Sequence, residues 1–234
     1  MGRTGPTERD KLIAIGIGTA FMVIALIPQL ITQEIPSIIV IIKYGLVKVV
    51  SIMSGFELSN PIIWALFVGG TAAVYQETMK YFSVNTQGRY LAIWIGLGFS
   101  LVDIAILLFE GGILPMMIIG VSKFVTTLTT TTVVLIALNA ISSLLFHPGT
   151  ALILKYGRTV KKGIYFLLFT ILLHGIEDGG VVYTDIYVIT HPGQYLFAIA
   201  VFWSVAIVVS LFAFVMAMSL RTKLYSERVE ENLI

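Results

Sequence analysis

Residues 194–220 read QYLFAIAVFWSVAIVVSLFAFVMAMSL, twenty-seven positions without a single charge. As a helix this stretch rises about 40 Å, more than the ~30 Å hydrocarbon core of a bilayer. Lipid offers no partner for backbone N–H and C=O groups, so a run of this kind must form a membrane-spanning helix. Working outward, comparable runs occupy roughly 12–32, 61–82, 90–109, 125–154 and 163–184. A further run, 36–53, is apolar apart from Lys43 and Lys48. Each lysine costs about 3 kcal/mol at the centre of a membrane helix, less where it snorkels, and the surrounding Ile, Val and Leu residues offset that cost. The expectation is an all-α, polytopic transmembrane helix bundle of seven spans, or six if 36–53 lies at the interface.

Composition agrees with that class. Of 234 residues, 57% are apolar and 12% charged, against about 25% charged in an ordinary soluble domain. Mean hydropathy is +0.95, too high for a soluble fold of this size. Zero cysteines exclude a disulfide scaffold, thiol catalysis and thiolate metal sites. A net charge of +2 gives no footprint for nucleic acid. Residues 1–11 are polar and no small-residue cleavage site follows the first apolar run, so no cleavable signal is expected. The chain reads as one transmembrane domain over 1–234, with a short tail at 221–234 and no linker or internal repeat. The tail from 226 onward carries Glu227, Glu230 and Glu231 and reads as solvated.

Charge asymmetry sets an expected orientation. Lys155, Arg158, Lys161 and Lys162, then Arg89, then Arg221, Lys223 and Arg228 all fall on one side. The opposite connections hold little Lys or Arg apart from Lys123. By the positive-inside rule the C-terminus is cytoplasmic. Seven spans put the N-terminus outside and six put it inside, the side that Arg3, Arg9 and Lys11 favour. The threonine-rich run 126–132 opens the fifth span, where its hydroxyls bond back to their own helix or line a wet cavity.

Ionisable groups inside the membrane carry the functional information, because such groups face the bundle interior and serve a purpose. Five stand out: Glu77, Asp103, His147, His174 and Asp178. Counting 1.5 Å per residue from the basic anchors, His147 lies about 12 Å deep, His174 about 18 Å and Asp103 about 21 Å, with Glu77 near the cytoplasmic end of its span. Four helices thus bring acids and imidazoles to overlapping depths. His174 and Asp178 share a helix face, and Glu177, three residues from His174, is an alternative to Asp178. His147 precedes Pro148-Gly149, which frees carbonyls beside the imidazole. Gln76-Glu77-Thr78-Met79-Lys80 sets a carboxylate and a lysine three residues apart. His191, Asp185 and Glu110 lie at span ends and read as interfacial. Singly, each intramembrane group reads equally as an interhelical hydrogen bond or a structural ion pair. Together, two imidazoles and up to three carboxylates suit a divalent metal such as zinc, with one carboxylate left to activate water.

The motifs resemble a known family. Gln76-Glu77-Thr78-Met79-Lys80-Tyr81 resembles the Glu-Glu-x-x-Lys/Arg motif of the CAAX-protease superfamily of intramembrane metalloproteases. Gly96-Leu97-Gly98-Phe99-Ser100-Leu101-Val102-Asp103 is similar to its Phe-x-x-x-Glu/His motif, and His174-Gly175-Ile176-Glu177-Asp178 to its His-x-x-x-Asp/Asn motif. Order and spacing are similar to the PrsW-type and YhfC-type branches, which also carry a Phe-His where this chain has Phe146-His147. The resemblance covers roughly 60–185. It also extends to the anterior-pharynx-defective scaffold subunit of gamma-secretase, which has seven spans and an intramembrane histidine in spans five and six.

That resemblance implies a metal-dependent intramembrane peptidase of a prokaryotic cell membrane, acting on a peptide in or near the bilayer. His147, His174, Asp103 and Asp178 would hold a zinc ion or orient the scissile carbonyl. Gln76 stands where the family has its first glutamate, and a neutral amide cannot act as general base. Catalysis would then use Glu77 or Asp103, with Glu77 the candidate base for the attacking water and Lys80 tuning or anchoring it. A non-catalytic scaffold or substrate-binding protein of the same fold is the alternative, with Gln76 its best support, and a carrier or channel is the third class, because buried acids and histidines also build proton relays. Other intramembrane chemistries lack their residues: there is no His-Glu-x-x-His, no Gly-x-Ser-x-Gly, and no aspartyl-protease setting around Asp103 or Asp178.

Overall fold

A computed structural model of the protein describes residues 5–119 and 129–231, with side chains over 5–118 and 129–224. Lys123, Thr126 and Thr127 lie outside the described residues. Among the described residues every regular element is a helix. In chain order these are α1 (Glu8–Tyr44), α2 (Val49–Ser59), α3 (Pro61–Ser83), α4 (Ala92–Leu108), α5 (Leu114–Ile119), α6 (Thr130–Thr159), α7 (Gly163–Thr190) and α8 (Tyr195–Glu231). A π-helical turn at Phe109–Ile113 joins α4 to α5.

Among the described residues five stretches are long and apolar enough to cross a membrane, or six if the bent pair α2–α3 counts as one. The apolar run at 36–53 does not form a span of its own. Pro36 lies inside α1, which continues for 37 residues through both Pro28 and Pro36. A proline removes one ladder donor, and side chains can satisfy the backbone around it. Between the two prolines the Thr32 hydroxyl bonds back to the Pro28 carbonyl one turn earlier, at 2.8 Å. The helix stops only at Gly45, whose φ of +84° places it in the left-handed region open to glycine. Beyond it come a 3₁₀ turn, Leu46–Lys48, then α2, then a 104° bend into α3. The lysines at 43 and 48 thus flank a break rather than burden a helix centre. Large apolar side chains such as Leu66, Leu168, Phe197 and Val208 are more than half exposed, as expected for surfaces solvated by acyl chains.

The chain divides into two compact units. The first comprises residues 1–22, 80–163 and 210–234. Its α1 and α4 cross with backbones touching: a Cβ on Gly98 would sit 2.2 Å from the Ile15 carbonyl oxygen. Such crossings rely on small residues because lipid supplies no hydrophobic drive between helices. Ser100 Oγ donates to the Ser143 carbonyl at 2.7 Å, tying α4 to α6, and Ser142 and Ser210 share a hydroxyl bond of 2.6 Å. At one end Lys155 Nζ donates to the carbonyls of Val84 and Gln87. The Thr129 hydroxyl accepts from Thr132 N–H at 3.1 Å and caps α6, so this part of the threonine run bonds backbone.

The second unit comprises residues 23–79 and 164–209. Its α3 and α7 run antiparallel and cross at Gly69 and Gly179, where a Cβ on Gly69 would meet the Gly179 nitrogen at 2.2 Å. The α1 segment is pinned to α3 by Thr32–Tyr75 at 3.0 Å and by Gln33 Nε2 donating to the Val68 carbonyl at 2.9 Å.

Candidate functional site

Helix α3 carries Gln76, Glu77 and Lys80 over its last two turns, all buried. Glu77 and Lys80 are wholly inaccessible and stand one turn apart, Glu77 in the second unit and Lys80 in the first. An ion in this position needs partners of the highest quality, since desolvation costs several kcal/mol per charge.

In the second unit α7 supplies them. His174 Nδ1 lies 2.8 Å from Glu77 Oε1, and its Nε2 lies 3.3 Å from Asp178 Oδ2 one turn along the same helix. The imidazole bridges two carboxylates, so two protons are shared among three groups. Only Asp178 reaches the surface, with 37% of its side chain exposed. The arrangement is an acid–imidazole–acid chain leading from an accessible carboxylate to a sealed one. Beside it, Gln76 Nε2 donates to Gln29 Oε1 at 3.1 Å, an amide pair that is also buried.

In the first unit a matching chain is built on Lys80. Its ammonium approaches His147 Nδ1 at 2.8 Å and donates to Thr150 Oγ1 at 2.9 Å. Rings of Phe99 and Phe146 lie 5.2 and 5.6 Å from it, within range for cation–π attraction. His147 Nε2 faces Asp103 Oδ2 at 3.7 Å, and Asp103 is 37% exposed. A lysine donating to Nδ1 leaves a neutral imidazole with its Nε2–H directed at the aspartate. The Pro148-Gly149 step does not end the helix; α6 continues to Thr159.

All seven residues expected at the site thus have polar partners, grouped as Glu77, His174 and Asp178, as Lys80, His147 and Asp103, and as Gln76 with Gln29. His147 and His174 each have Nδ1 on one charged side chain and Nε2 near a carboxylate. A metal-binding imidazole presents one nitrogen to the ion and uses the other for an outer partner. Among the described residues no group of three or more His, Asp or Glu is disposed to hold a metal ion. A protein zinc site uses at least three such ligands.

Two participants are not among the residues that the sequence singles out. Thr150 lies three residues after His147, the spacing that puts both on one helix face, and Gln29 is the one amide within the run at 12–32. His191, Asp185 and Glu110 are exposed, in keeping with an interfacial place. Comparison with models of known protein families, with curated proteins and with solved structures yields no match to this chain.

Proposed function

We propose that this chain is a membrane-embedded peptide hydrolase with Glu77 as its general base. The observation that carries the reading is the buried chain Glu77–His174–Asp178. A carboxylate held by an oriented imidazole can act as a general base once substrate entry brings water within hydrogen-bond reach of it. In the reaction, Glu77 accepts a proton from water as the water oxygen bonds to the scissile carbonyl carbon. It returns that proton to the leaving amine when the C–N bond breaks. His174 fixes the rotamer of Glu77, and Asp178 fixes the ring of His174. Lys80, one turn further along α3, is the cation of the sequence motif. The substrate is a peptide segment in or beside the bilayer, and the basic tail puts the C-terminus in the cytoplasm. Zinc would need a third protein ligand beside one of the imidazole–carboxylate pairs, so no step is routed through it.

One observation favours a second reading, a non-catalytic scaffold. Gln76 is tied to Gln29 in a buried neutral pair, which suits packing better than proton transfer. Purified protein in lipid nanodiscs, offered fluorogenic membrane-spanning peptides, separates the two. The hydrolase reading expects cleavage that falls about 10²- to 10⁴-fold in Glu77→Gln, with the fold retained. Cleavage equal in both proteins overturns Glu77 as the base; cleavage absent in both overturns the hydrolase and leaves the scaffold.

A further inference from the structure

The seam between α4 and α6 lies wholly in the first unit, and its width changes along its length. At the end nearer Lys155 the backbones touch: a Cβ on Gly96 would sit 2.4 Å from the His147 carbonyl oxygen. One turn on, Ser100 Oγ still reaches the Ser143 carbonyl at 2.7 Å. At Gly111, about four turns from Gly96, a Cβ would meet only the tip of Ile136, Cδ1 at 3.9 Å. At Gly112 it would meet nothing within 4 Å. The two helices therefore run antiparallel and part toward the π-helical turn at Phe109–Ile113.

Asp103 sits where they part. Its Oδ2 faces His147 Nε2 at 3.7 Å, which puts the side chain on the α6 side of α4, yet 37% of it is exposed. Counted from Arg89 the residue lies about 21 Å along its span, a depth at which the exposed part meets either acyl chains or admitted water. A carboxylate among acyl chains costs about 3 kcal/mol or more; water removes that cost. The walls beyond it also carry polar groups. Two turns along α4, Glu110 is exposed in the π-helical turn. Across the seam Asn139, half-buried, stands one turn from both Ser143 and Ile136 on the face of α6 that meets α4. We propose that α4 and α6 frame a water-filled crevice, open at the end remote from Lys155, with Asp103 and His147 as its floor and Asn139 and Glu110 on its walls. From Asp103 to Glu110 it runs about 10 Å. It is independent of the hydrolase reading, whose base, Glu77, belongs to the other unit.

The chain contains no cysteine, which permits a direct test, because a thiol reacts as its thiolate, a form that apolar surroundings suppress and water allows. Two pairs of single variants place a thiol at matched depth on and off the seam. On α6 these are Asn139→Cys and Ile141→Cys. On α4 they are Leu107→Cys, one turn from Asp103, and Leu108→Cys. Ile141 and Leu108 are the more exposed members, at 48% and 49%, but point off the seam. Simple surface exposure thus predicts the opposite order from access to water. Each variant, in lipid nanodiscs, is treated with the membrane-impermeant cation methanethiosulfonate ethyltrimethylammonium, and labelling is followed by intact mass. The expected result is labelling about tenfold or more faster at 139 than at 141, and at 107 than at 108. Equal rates within either pair of folded variants overturn the proposal; they are the result for a seam filled by acyl chains or by a second copy of the chain. The α4 pair leaves Asn139 in place, so the test holds even where Asn139→Cys does not fold.

Discussion

Glu77 and His174, ninety-seven positions apart in the chain, meet at 2.8 Å with both side chains buried. Such a contact is costly to break from one side. Removing the imidazole leaves a carboxylate without its ring partner in a medium that cannot solvate it. His174→Ala is expected to lower stability by about 3–5 kcal/mol, read by chemical unfolding in detergent. Replacing both groups by leucine is expected to recover most of that loss, since a well-packed apolar pair matches a buried ion pair in stability. If single and double variants lose the same amount, the contact is not a coupled pair.

Lys80 makes a second test in the other unit. Lys80→Met keeps the length of the stem but removes the donor that His147 Nδ1 and Thr150 Oγ1 share. Leaving buried polar atoms unsatisfied costs about 1–3 kcal/mol each. Thr150→Val is expected to cost less, because the ammonium retains His147. A double-mutant cycle between positions 80 and 150 should give a coupling of about 0.5–3 kcal/mol. Additive losses would show that Thr150 is only a neighbour.

Much of this arrangement is legible in the amino-acid order itself. The apolar runs are plain because the bilayer enforces a minimum length, and the ionisable residues within them are plain because lipid makes them expensive. The spacing of His174 and Asp178 also announces their shared face. The span count is not legible at 36–53. Hydropathy there is continuous, while the backbone breaks at Gly45 and turns 104° before α3. Hydropathy measures side chains, and a single glycine in the left-handed region leaves almost no trace in it. Nor can composition say how the imidazoles are used. Which nitrogen faces which carboxylate depends on helix rotation, and that rotation is set by the glycine contacts at Gly96 and Gly69.

The placement of these acids and imidazoles leads to a prediction about metal. Among the described residues no three His, Asp or Glu side chains are placed to hold one metal ion, and a protein zinc site uses at least three ligands. Chelation with EDTA is therefore expected to leave the melting temperature of the purified protein unchanged. Elemental analysis after chelation should match that before it. A ligand held at 100 times its dissociation constant adds about 2.7 kcal/mol of stability, so a melting temperature that falls by several degrees would show a bound metal.

The amide pair Gln76–Gln29 supplies the last test, and it separates structural from chemical use of this part of α3. Gln76 Nε2 donates to Gln29 Oε1, and Gln76 Oε1 has no hydrogen-bond partner among the described residues. The pair is thus half satisfied, which makes it weak for its burial. Gln29→Leu strands the Gln76 amide and is expected to cost about 1–3 kcal/mol. Leucine at both positions removes donor and acceptor together and is expected to fall within about 1 kcal/mol of the wild type. If the double variant folds and still cleaves membrane peptides, Gln76 is a packing residue and the proton traffic belongs to Glu77. If it folds but loses cleavage while His174 and Glu77 remain coupled, the amide at position 76 touches the reacting peptide, and its place in the motif is functional.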